Sequence, residues 1–225
     1  SVAELAPTAT SRRARKAQEE LSYREREAQI AMRESEILAG TAPRSTDDFE
    51  RLLLGKPNSS FLWVGYMEFQ LSLAEVDRAR ELADRALRTI GLGEEEERLN
   101  VWKALLNLEQ AHGTAESLSA AFRRAVQGTS PRPVYLHMAA AHERAEEFEL
   151  CDATFEATVK KFRRDKEVWI AYLASLMRRT EVAKAKALLQ RTVDALKAAE
   201  HVDVISKFGQ LEFRHGSPER ARTVF

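Results

Sequence analysis

The sequence predicts an all-helical protein, a solenoid of stacked antiparallel helix pairs. Three observations carry that expectation: a unit that recurs at intervals of 33 to 39 residues, a helical apolar period inside each unit, and a scarcity of turn residues. Only 9 of the 225 residues are Gly and 6 are Pro, too few for a many-turned sandwich or barrel. With 44% hydrophobic and 31% charged residues, the chain can bury an interior and still keep a long surface in water.

The first forty residues differ in kind. Basic and acidic residues mix along Arg12 to Glu36, with a thin apolar stripe at Leu21, Ala28, Met32 and Leu38. The composition predicts a charged helical arm or linker over 1–43, ended by Gly40-Thr41-Ala42-Pro43, with the repeat array over 44–225. Within the arm, Arg12-Arg13-Ala14-Arg15-Lys16 fits a weak nuclear import signal. The array opens with a leading helix, Asp47-Asp48-Phe49-Glu50-Arg51-Leu52-Leu53-Leu54.

The repeat itself follows. Trp63, Trp102, Tyr135, Trp169 and Ile205 recur with gaps of 39, 33, 34 and 36. Three residues later stand Tyr66, Leu105, Met138, Tyr172 and Phe208, and a small-residue series, Ala79, Leu118, Cys151, Ala185 and Ala221, keeps the same steps. Each unit reads as an A helix carrying the aromatic pair and a B helix carrying the small residue. Residues three apart share a helix face, so Trp63 and Tyr66 lie together, and Ala79, Leu82, Ala83, Ala86 and Leu87 form one buried stripe; Ala125 belongs to the same kind of stripe in the second unit.

Helix ends carry their own chemistry. Gly113-Thr114 and Gly216-Ser217-Pro218 place a glycine stop beside a hydroxyl N-cap, predicting tight A-to-B turns. B helices are expected to end near Gly91, Gly128 and Arg164, and A helices to start after Pro57-Asn58-Ser59, Pro131-Arg132-Pro133 and Asp165. Four complete pairs and part of a fifth result. Such pairs bury their apolar faces only against neighbours, which predicts a right-handed superhelix.

Charge and cysteine content narrow the function. The 35 basic and 35 acidic residues cancel, so any electrostatic partner must read a local patch. The single cysteine, Cys151, excludes an intrachain disulfide framework and fits a reducing compartment. No apolar run is long enough for a membrane span, and the chain reads as a piece of a longer protein. His137 and His142 lie five apart, which turns them off the i, i+4 geometry of paired helical metal ligands. With no glycine-rich phosphate loop and no nucleophile elbow, no catalytic site, cofactor or metal is expected.

Trp63-x-x-Tyr66 followed by Ala79-Arg80-x-x-x-x-Arg85-Ala86-Leu87 resembles the half-a-tetratricopeptide (HAT) motif. The acidic residue that motif places seven after the tryptophan stands at Glu109 and Glu212 and is replaced by Gln70, His142 and Leu176. The stretches Asp47 to Leu53, Pro57 to Trp63, Leu99 to Glu109 and Glu200 to Phe208 are similar to the carboxyl-terminal region of the ribosomal-RNA-processing-protein-five family. That resemblance implies a nucleolar, non-catalytic scaffold of early small-subunit ribosome assembly. Its partners would be assembly proteins, with pre-rRNA held mainly by OB-fold domains that this sequence lacks. A splicing or polyadenylation scaffold that self-associates through HAT repeats is the alternative within the same repeat class.

The periodic tryptophans are expected in the inter-helix core rather than as exposed stacking platforms for bases. Charge polarity is the remaining clue. Asp47 to Asn100 holds 12 acidic and 7 basic residues, whereas Lys160 to Arg191 holds 10 basic and 3 acidic. Lys160, Lys161, Arg163, Arg164 and Lys166 cluster at one turn, and Arg178, Arg179, Lys184 and Lys186 around the next. These nine are the candidate contacts for an acidic protein segment, another copy of the array, or RNA phosphates.

Overall fold

The computed structural model describes Pro43 and Ser45–His215. The arm expected over 1–43, Pro43 apart, the core position Ala221 and the Gly216-Ser217-Pro218 turn lie outside the described residues. Among the described residues ten helices follow one another: α1 Thr46–Gly55, α2 Ser60–Ser72, α3 Val76–Thr89, α4 Glu95–His112, α5 Ala115–Gly128, α6 Pro131–Arg144, α7 Phe148–Lys161, α8 Lys166–Arg178, α9 Val182–Ala195 and α10 Ala198–His215. Leu53 onward forms one compact unit, and the first seven residues of α1 belong to another. In α1, Asp47 and Asp48 occupy the first turn, where carboxylates complement the helix dipole, and Phe49 and Leu53 are buried.

From α2 onward the helices pair as A and B: α2 with α3, α4 with α5, α6 with α7, α8 with α9, and α10 as the next A helix. Every A helix touches its own B helix and the A helix of the following pair, and every B helix touches that same following A helix. Adjacent B helices do not approach closely through their backbones, but long side chains bridge them, Arg124 to Asp84 and Arg191 to Glu156. This nearest-neighbour stacking is what a solenoid requires, because one pair alone leaves half its apolar surface in water.

The repeat columns sit at the contacts between helices. Trp63, Trp102 and Trp169 are almost fully buried, as are Tyr66, Leu105, Met138, Tyr172 and Phe208; Tyr135 and Ile205 are half-buried. Ala79, Cys151 and Ala185 have no exposed surface at all, so a small side chain lets A and B helices approach. Ala86 and Ala125 begin a further column that continues through Thr158 and Thr192, all at 0% exposure. Threonine fits there because its hydroxyl donates to its own helix, Thr158 Oγ1 to Thr154 O at 2.6 Å and Thr192 Oγ1 to Leu188 O at 2.8 Å.

The A-to-B turns repeat too, but not through glycine. Ala74 (φ 61°), Glu146 (φ 59°) and Thr180 (φ 61°) occupy corresponding positions in left-handed geometry. At each, the following N–H donates five residues back, Glu75 to Gln70 O, Glu147 to His142 O and Glu181 to Leu176 O, which closes a Schellman-type cap. The corresponding Gly113 has φ −96° and is not left-handed, so the expected glycine stop acts for a different reason. A Cβ there would run into the Glu109 carboxylate and the Ser117 hydroxyl. Thr114 provides the expected N-cap, in a capping box with Ser117. The expected start of α6 is also corrected: Pro131 is already its first residue, since proline tolerates the first turn.

Left-handed geometry costs an L-residue roughly 1–2 kcal/mol, and a β-branched one fits it worst. Thr180→Gly is therefore expected to stabilise the array by about 0.5–1 kcal/mol, after allowing for glycine's greater unfolded-state entropy. Urea unfolding of the two proteins measures the difference. A loss of stability would mean that the Thr180 side chain contributes more than its backbone costs.

Candidate functional site

Each tryptophan of the repeat carries an arginine over its ring. Arg85 lies 5.3 Å from the Trp63 centroid, Arg124 5.4 Å from Trp102 and Arg191 6.0 Å from Trp169. These arginines share the repeat step: Arg85 belongs to the motif read from the sequence, whereas Arg124 and Arg191, which continue its column, were not singled out. In the third pair both partners change together. Tyr135 replaces the tryptophan, Ala157 stands in the arginine position, and Lys161 covers the tyrosine at 4.8 Å. Phe122 and Phe162 pack edge-on against the same ring.

The indoles also anchor the preceding turns. Trp63 Nε1 donates to Pro57 O and Trp169 Nε1 to Arg163 O, both at 2.8 Å and both six residues upstream. Trp102 lacks this bond, and its buried Nε1 finds no partner. Helix α4 begins seven residues before its tryptophan rather than three, so the upstream position lies inside the helix. The indole instead faces Gly128, where even a Cβ would approach Nε1 to 3.2 Å.

The acidic position seven after the aromatic is buried in every pair: Gln70, Glu109, His142, Leu176 and Glu212. Glu109 receives Arg80 Nε at 2.7 Å and Nη2 at 3.2 Å, and the Ser117 hydroxyl at 2.6 Å. Burial works to raise its carboxyl pKa, but Arg80 and Ser117 outweigh that and hold it below the usual carboxylate range. Lys186 occupies the same place relative to Glu212, at 3.7 Å. His142 substitutes by bonding Glu147 through Nδ1 at 2.6 Å. Glu109 and Glu212 thus tie their helices to the B helix of the preceding pair, whereas His142 bonds within its own pair.

The nine basic candidates do not form one surface. Lys160, Lys161, Arg163, Arg164 and Lys166 surround the α7–α8 turn, whereas Arg178, Arg179, Lys184 and Lys186 lie at the other end of α8 or beyond it. A 13-residue helix separates its ends by roughly 19 Å. Most are also engaged. Arg178 makes two bonds to Glu143 at 2.8 and 2.7 Å, and this guanidinium holds the Glu143 carboxyl below its ordinary range. Arg179 is buried against Asp152 at 2.5 Å, Lys184 pairs with Glu181 and Asp152, and Lys166 meets Asp203 at 2.7 Å. The exposed side chains of Lys160, Arg163 and Arg164 have no ion pair or hydrogen bond among the described residues.

Those three border two open depressions. One, of about 670 Å³, runs between α7 and α9 and is lined by Glu156, Ala157, Val159, Lys160, Arg163, Trp169, Arg191, Asp194 and Ala195. The other lies over the α7–α8 turn, with Arg163 and Arg164 on its wall. Arg191 bridges the first by bonding both Glu156 oxygens at 2.8 and 2.9 Å. Trp169, Arg191, Asp194 and Ala195 were not legible as groove residues, because the space they line opens only where the backbones of α7 and α9 stand apart.

His137 and Cys151 are both held toward their neutral forms. Burial, with Arg144 and Lys103 nearby, pushes the His137 pKa down to about 4, so the ring is neutral at neutral pH. Burial pushes the Cys151 thiol up, away from the thiolate. Among the described residues no group of three His, Cys, Asp or Glu side chains is placed to hold a metal ion, and no helix is long and apolar enough to cross a membrane.

A family model described as the pre-mRNA-splicing factor Syf1/CRNKL1 C-terminal HAT repeat matches residues 57–225. Individual relatives fall in ribosomal RNA biogenesis. The human protein RRP5 homolog is 46% identical over 211 residues, covering 93% of this chain. The rRNA biogenesis protein of Schizosaccharomyces pombe is 43% identical over 81% of the chain, and that of Arabidopsis thaliana 40% over 89%. The chain spans only 10 to 11% of the length of these relatives.

Proposed function

The chain belongs to the HAT-repeat family and is similar over most of its length to RRP5 rRNA biogenesis proteins; from that premise we propose that it is a non-catalytic scaffold. It acts in nucleolar pre-rRNA processing and small-subunit ribosome assembly, and it holds protein partners on the surface of its helix pairs. The observation that carries the scaffold reading is where the repeat's distinctive residues go. The tryptophans, the arginines above them and the buried acidic column are all consumed in joining one helix to the next. What remains for function is a preshaped outer surface, on which several modest contacts add avidity when a partner is held elsewhere in the same assembly.

Crosslinking mass spectrometry on assembled pre-ribosomal particles containing the full-length protein tests this. Lysines of the array, Lys160 and Lys161 among them, are expected to crosslink to other assembly proteins. An array that crosslinks to no protein neighbour would overturn the scaffold reading. The splicing or polyadenylation alternative rests on the description of the matching family model; the identity to rRNA biogenesis proteins favours the ribosomal setting, and light scattering measures the self-association the alternative needs. Direct RNA contact rests on the unpaired Lys160, Arg163 and Arg164, and would appear as binding that weakens steeply with salt.

A further inference from the structure

We propose that the groove between α7 and α9 docks an acidic peptide segment of a protein partner, seating one apolar side chain on its floor. The inference rests on the scaffold reading and names where on the array one partner engages.

The groove has two chemically distinct parts. Its floor is apolar, made by Ala157, Val159, Ala195 and the edge of the Trp169 indole. At one end the Arg191–Glu156 pair closes on itself. At the other, Lys160 and Arg163 project with no side-chain partner among the described residues. Arg163 is held in place from below, since the indole N–H of Trp169 bonds its carbonyl at 2.8 Å. The groove therefore offers two exposed cations, without side-chain partners among the described residues, beside an apolar floor.

This pairing of charges belongs to one pair of the array. At the positions of Lys160 and Arg163, the first pair has Arg88 and Gly91 and the second has Gln127 and Ser130. The floor differs as well. Ala195 corresponds to Gly128, which packs directly against Trp102. The α7–α9 groove thus carries basic residues at both of these positions, which its counterparts do not.

A peptide suits these features better than RNA. Glu156 and Asp194 on the wall repel a continuous phosphate backbone, and the Trp169 ring is buried, leaving no face on which a base can stack. A peptide can present two carboxylates to Lys160 and Arg163 and keep its remaining length clear of the acidic wall.

Fluorescence anisotropy tests the site with the whole chain and three labelled probes: a twelve-residue peptide alternating Glu and Leu, the same peptide with Gly for Leu, and a uridine oligonucleotide. The Glu/Leu peptide is expected to bind in a salt-sensitive manner, and the Glu/Gly peptide at least about tenfold more weakly. Lys160→Glu with Arg163→Glu, and separately Ala195→Phe filling the floor, should each weaken Glu/Leu binding about tenfold or more. Lys56→Glu with Lys207→Glu, both exposed and outside the groove, should leave it unchanged. Thermal melting confirms that each variant is folded.

Failure of the Glu/Leu peptide to bind the unmodified chain overturns the proposal. So does binding indifferent to the groove variants, or oligonucleotide binding that alone depends on Lys160 and Arg163, which would make the surface a nucleic-acid contact. If the groove variants abolish peptide binding while particle crosslinks persist, the scaffold function stands and uses additional contacts. Loss of all protein crosslinks with peptide binding intact would instead defeat the scaffold reading alone.

Discussion

Trp169→Ala is expected to lower the unfolding free energy by about 3–5 kcal/mol, the range for removing a large buried aromatic. Three contributions disappear together: the packing of a side chain only 4% exposed, the hydrogen bond to Arg163 O, and the Arg191 guanidinium above the ring. The sites are close, so the losses are coupled rather than additive. Trp169→Phe separates them. It keeps most of the apolar contact but strips the carbonyl of its donor, and should cost roughly 1–2 kcal/mol, most of it from the lost hydrogen bond. Chemical unfolding followed by circular dichroism measures both. An alanine variant that unfolds like the parent protein while losing a ligand would reverse the assignment and make the aromatic column a binding face.

The second large effect is expected at the joint between the first and second pairs. Arg80→Ala leaves Glu109 buried without its guanidinium, and the cost at neutral pH should be about 2–3 kcal/mol. This is below the range for a fully buried pair because a third of the Arg80 side chain reaches solvent. The sign of its pH dependence is fixed. In the parent protein the Glu109 pKa lies below its unfolded value, so the stabilisation is present above the ordinary carboxylate range and fades as pH falls through the depressed value. In the variant, burial acts with only Ser117 opposing it, and the pKa rises. The difference between the two proteins should therefore be largest near about pH 7 and shrink toward about pH 4. Urea unfolding at both values provides the test; a penalty independent of pH would mean that packing, not charge, dominates at Arg80.

The repeat frame was legible because it depends on local geometry. A tryptophan, a residue three later and a small residue further on keep their spacing whenever the same two helices meet, so shared gaps expose them. Legibility failed where chemistry substitutes for identity. Thr158 and Thr192 read as polar, yet they continue the alanine column because each hydroxyl bonds a carbonyl of its own helix. Gly113 read as a left-handed stop, whereas its use is to leave room for Glu109 and Ser117. The basic candidates read as clusters at two successive turns, open to a partner. Helix α8 stands between the two groups, and the acidic partners of most of them come from α6, α7 and α10, residues too distant in sequence to pair by inspection.

The exchange of Trp for Tyr135, Arg for Ala157 and the covering Lys161 bears on how such arrays can be rebuilt. A consensus pair drawn column by column would restore arginine at 157 while keeping Lys161, crowding two cations onto a ring that the natural chain covers with one. Grafts into this position are expected to succeed only when the three residues travel together. For engineering, the interchangeable module is the set of side chains meeting across a helix contact, and the length of sequence that looks like a repeat is only its wrapping.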